Sequence, residues 1–105
     1  MEIIQGETNR GFGIIEFTDR YGVRCSLQKS SLATEDAIWF GCDDLNPQIM
    51  ASQAKAFGIE TTETCGWVPY PIPKEVLMND RMHLTRSQVK DLLPILQKFA
   101  KTGEI

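Results

Sequence analysis

The residues with the most chemistry in this chain lie between Cys25 and Trp39. Gln28, Lys29, Ser30, Ser31 and Thr34 place an amide, an ammonium group and three hydroxyls in one short stretch between two apolar strand patterns. Donors on a loop framed by rigid strands are the usual arrangement of a recognition site. Arg20, Arg24 and Arg81 can add guanidinium groups, whose planar fork matches phosphate oxygens. Tyr21, Trp39, Trp67 and Tyr70 can offer aromatic faces to a base. A plainer account of the hydroxyls is a turn whose side chains satisfy nearby backbone groups. For the tryptophans it is packing in a core or an interface.

Other chemistries find less support. Cys25, Cys42, Cys65 and His83 could form a three-thiolate, one-imidazole zinc set. Structural zinc sites bring their ligands in close pairs, and no such pair occurs here, so no metal site is expected. Glu35 and Asp36 flank one end of the apolar run Ala37 to Phe40, and Asp43 and Asp44 lie past the other. An extended run of that length holds the two groups about 13 Å apart, too far for a paired acid and base. Ser30 and Ser31 lack a nucleophile elbow, and the single histidine has no evident orienting carboxylate. A phosphate-binding glycine loop is absent too. A non-enzymatic protein is therefore expected, without catalytic residues or a cofactor.

The elements that must position these groups follow from periodicity. Phe12 to Thr18 is strand-like, and Val23 to Lys29 alternates, with Val23, Cys25 and Leu27 on one face and Arg24, Ser26 and Gln28 on the other. Asp19 to Gly22 between them predicts a hairpin turn. Ala37 to Phe40 has the apolar pattern of a buried strand, followed by a turn-rich break through Pro47. Gln48 to Phe57 predicts a short helix stopped by Gly58. Ile59 to Pro73 predicts a meandering or edge segment, and Arg81 to Leu84 a last short strand. The C-terminal helix carries the clearest signal. Thr85 and Gln88 spell a capping box, Leu84 and Val89 a staple, and Gly103 a stop. Val89, Leu92, Leu93, Leu96 and Phe99 share one face, with Pro94 in the middle as a potential kink.

With 105 residues, 42% apolar and 24% charged, the chain is long enough for one globular domain, residues 1–105. A net charge of -3 and a pI near 5.1 argue against a nucleic-acid partner, since no general basic field exists to displace counterions. Three widely spaced cysteines do not form a secreted disulfide framework. The start, Met1 to Gln5, has no signal-peptide pattern, and no stretch is apolar enough to span a membrane. A soluble cytoplasmic protein is expected. The fold class expected is α+β: a small antiparallel sheet of about three to five strands with the C-terminal helix packed on one face.

Several stretches taken together resemble a family of small uncharacterised proteins encoded by bacteriophages and prophages. They are Gly11-Phe12, Glu16 to Gly22, Cys25 to Trp39, Arg81 to Arg86, Leu93-Pro94 and Thr102 to Glu104. The resemblance covers most of the chain, and no activity or functional residue transfers with it. It implies a life in the bacterial host cytoplasm and a small accessory protein that binds host molecules, including components of host defence. The expected function is counter-defence sequestration of a nucleotide-like or other small anionic host ligand. The site would comprise Gln28, Lys29, Ser30, Ser31, Thr34, Arg24, Arg81 and Trp39. The alternative is an inhibitor or interaction module that engages a host protein through Trp67 and Tyr70 in the aromatic, proline-rich segment Trp67 to Pro73. Self-association, most often as a two-fold dimer, is expected on either reading.

Overall fold

A computed structural model describes residues 1–105. Strands β1 (Ile4–Glu7), β2 (Gly13–Thr18), β3 (Arg24–Lys29), β4 (Ala37–Cys42) and β7 (Asp80–Thr85) form a five-stranded sheet, entirely antiparallel, in the order β1-β2-β3-β4-β7. Between β4 and β7 the chain makes a small satellite. It consists of β5 (Gln48–Met50), helix α1 (Ala51–Ala54), a 3-10 turn (Lys55–Phe57) and β6 (Trp67–Pro69), which pairs with β5. Helix α2 (Arg86–Thr102) closes the chain. The class is α+β, as the sequence pattern predicts.

The β2–β3 hairpin turns where expected. The Asp19 carboxylate accepts from the backbone N–H groups of Tyr21 and Val23, and Gly22 takes a positive φ of 80°. Strand β1 carries no clear alternation in the sequence; its pairing with β2 defines it. The helix expected from Gln48 begins only at Ala51, because Gln48–Met50 is drawn into a ladder with Trp67–Pro69. Tertiary pairing overrides helix propensity here.

Cross-strand register sorts the sheet into two faces. Ile15, Phe17, Cys25, Leu27, Ile38, Phe40, Cys42, Met82 and Leu84 share one. Ser26, Gln28, Trp39, Arg81 and His83 share the other. The buried apolar residues are few and small: Cys25, Ala37, Ala51, Ala54 and Val68. Ala51, Ala54 and Val68 make the satellite's own core, with Ile49 and Ile59 against it.

Helix α2 starts as the sequence predicts. The Thr85 hydroxyl accepts from Gln88 N–H, the Gln88 side chain accepts from Thr85 N–H, and Gly103 ends the helix at a positive φ. Pro94 lies inside a helix that continues to Thr102. What differs is the coverage of the sheet. Strand β7 ends at Thr85 and the helix begins at Arg86, so no loop residue is available to turn the helix back over its own sheet. Its first turn meets β7 and, through Arg86, the Asp36 carboxylate, and it has no buried residue.

Candidate ligand-binding site

The polar face is built by parity. Gln28 of β3, Trp39 of β4 and His83 of β7 stand in one cross-strand row. Ser26, Gly41 and Arg81 occupy the next. Gly41 is a bare step in that row, between Ser26 and Arg81. The Arg81 guanidinium lies across it, reaching over β4 to donate from Nη1 to Gln28 Oε1 at 3.0 Å. It passes 5.6 Å from the Trp39 ring centre. Gly41 is also held by the backbone: a Cβ there would collide with the Asp80 carbonyl oxygen and sit 2.8 Å from Arg81 Cα.

His83 stacks on Trp39 with ring centres 4.0 Å apart and planes within 5°. Its Nε2 lies 2.9 Å from Ser30 Oγ. Ser30 is buried, and its hydroxyl also accepts from Leu32 N–H at 3.2 Å, which closes the start of the loop. Ser30 thus combines the turn role and the link to the aromatic pair. Below, Ser26 is fully buried and donates to Asp43 Oδ1 at 2.6 Å.

Arg81 is the electrostatic centre of this face. The ion pairs of the molecule are Arg24–Asp44, Lys29–Asp36 and Arg86–Asp36, so no carboxylate neutralises Arg81. Its Nε–H is shielded from solvent and has no hydrogen-bond partner. The guanidinium has no carboxylate partner, so an anion that reaches its outer hydrogens would gain charge-assisted hydrogen bonds.

Of the residues expected to bind ligand, Gln28, Ser30, Arg81 and Trp39 come together here. Lys29 does not: odd–even alternation points it to the opposite face, where it donates to Asp36 at 2.7 Å. Arg24 shares the polar face but lies about 13 Å along β3 from Gln28, tied to Asp44 at 3.2 Å. Ser31 and Thr34 are exposed on the β3–β4 loop. His83 belongs to the cluster although the sequence reading set it aside. Its spacing of two from Arg81 on a short strand was the available signal.

No protein-family model matches the chain, and searches of curated proteins and of solved structures find no relative. The geometry of the site carries the functional argument alone.

The remaining candidates sort simply. Asp36 is held below the usual carboxylate range, first by the Lys29 hydrogen bond and charge and then by Arg86. Burial, reinforced by the neighbouring Cys42 thiol, pushes the Cys25 thiol up, which disfavours a reactive thiolate. Cys25 and Cys42 sulfurs are 4.0 Å apart, whereas Cys65 is exposed and His83 faces the other side. No group of three or more metal-ligating side chains assembles. No helix is long and apolar enough to cross a membrane. On the satellite, Trp67 is 64% exposed and Tyr70 half-buried.

Proposed function

We propose that this chain is a non-enzymatic, phage-type accessory protein that sequesters a small anionic host ligand, nucleotide-like in chemistry, on the polar face of its sheet. The observation that carries this reading is Arg81: an unpaired guanidinium with an orphaned Nε–H, lying beside the Trp39–His83 stack. Phosphate oxygens take the free guanidinium hydrogens, and Gln28 and Ser30 supply neutral polar contacts. Strand β7 is an edge of the sheet, so the outer face of the exposed His83 ring is open to a base stacking onto the pair.

The test is titration of the purified protein with a panel of nucleoside phosphates, followed by heat release and identification of what was bound. Intact ligand recovered at no more than one equivalent per site, with affinity lowered in Arg81→Ala, supports sequestration. Product accumulating beyond one equivalent would make the protein an enzyme and overturn the reading. A second reading rests on the exposed Trp67 side chain: an interaction module that occludes a host protein. It predicts a stoichiometric complex weakened by Trp67→Ala and indifferent to Arg81→Ala.

A further inference from the structure

The opposite face of the sheet points to a different partner. The chain exposes 8686 Å² to solvent, whereas a compact monomer of its mass exposes about 5,900 Å². Its radius of gyration is 18.0 Å against about 13 Å for a compact chain of this length. The excess, about 2,700 Å², is at the upper end of what extensive obligate homodimers remove from each chain, roughly 1,000–2,500 Å².

The excess is apolar where it matters. Leu96 and Phe99 of α2 are 54% and 53% exposed, and Met82 on the apolar sheet face is 53% exposed. A cleft of about 470 Å³ joins the two surfaces, with Ile38 and Leu84 of the sheet continuing into Val89 of the helix. The helix also lacks support of its own. A 17-residue helix is only a little longer than the roughly 12–15 residues below which isolated helices are marginal in water, and an interior proline costs it about 3 kcal/mol.

We infer that a second copy of this chain covers this surface, each copy laying its α2 across the apolar sheet face of the other. The dimensions agree: the helix is about 25 Å long, and five strands span about 19 Å between their outer members. The direct passage from β7 into α2 prevents the helix from covering its own sheet and sends it outward to a neighbour's. Two such contacts related by a two-fold axis are self-complementary and bury both apolar surfaces at once.

The test uses the full chain. Native mass spectrometry at micromolar concentration is expected to show a dimer or a multiple of it. Chemical cross-linking of mixed ¹⁴N- and ¹⁵N-labelled protein is expected to join Lys29 of one chain to Lys98 or Lys101 of another. The double variant Leu92→Glu/Leu96→Glu raises the dissociation constant by roughly 100-fold or more, as expected for the loss of two buried anchors. Both residues are already exposed within one chain, so the sheet stays intact and circular dichroism verifies it. A folded wild-type monomer overturns the inference. So does a dimer whose inter-chain cross-links join α2 only to α2.

Discussion

The two faces of the five-stranded sheet solve opposite problems with side chains that alternate along the same strands. On the polar face, Ser26, Gln28, Ser30 and His83 find partners within the chain, and Arg81 alone keeps an unmet donor and an unpaired charge. On the apolar face, Phe17 and Phe40 pack edge to face and Cys25 is buried, but Met82 and the α2 residues Leu92, Leu93, Leu96 and Phe99 lack a cover. The lesson is one of kind: a nearly satisfied polar network points to a small ligand, and a broad bare apolar surface points to a macromolecular one.

The largest expected effect separates these roles. In Leu92→Glu/Leu96→Glu the assembly falls apart on native mass spectrometry, while nucleotide binding on the polar face survives in each folded chain. If binding disappears with the dimer, the two faces are coupled and the comparison must be redrawn. Arg81→Ala is the converse: ligand affinity falls about 10- to 100-fold, the loss of charge-assisted hydrogen bonds, with the oligomeric mass unchanged. Calorimetric titration of that variant reads the affinity, and native mass spectrometry reads its oligomeric mass.

Gly41→Ala tests the step over which Arg81 lies. The new methyl meets the Asp80 carbonyl oxygen, so β7 must shift, and denaturant unfolding should show a loss of about 1–3 kcal/mol. Thr85→Ala removes the helix cap at about 1 kcal/mol, read as a lower thermal midpoint with the sheet unchanged.

The smallest effect is that of Asp36. Because its folded carboxyl titrates below the unfolded value, its bond to Lys29 stabilises the fold at neutral pH. That contribution is complete above the unfolded pKa of about 3.9 and is lost as the pH falls through the lower folded value. Asp36→Asn should therefore be slightly less stable than wild type at neutral pH, and the difference should vanish on acidification. A difference that grows with acid would contradict the assigned pair.

Much of this architecture was legible in local pattern. The alternation from Val23 to Lys29 correctly placed Cys25 and Leu27 on one face and Ser26 and Gln28 on the other, because strand periodicity is a property of the backbone. The same alternation separates Lys29 from Ser30, which proximity in sequence had grouped together. Strand β1 was not legible because it lacks alternation and only its pairing with the neighbouring β2 defines it. The β5–β6 pair and the late start of α1 were not legible because they depend on a partner strand across an intervening helix and loop.

Helix α2 marks the boundary between the two sources of information. Its cap, its stop and its apolar stripe are local interactions among residues a few positions apart, and the sequence alone determined them. Where the stripe would go was not local. It depended on β7 joining the sheet as an edge strand and passing into the helix without a loop, and that only the tertiary structure decided. The same holds for Arg81. Its charge was visible in the sequence, but its lack of a carboxylate partner is a fact about which strands became neighbours.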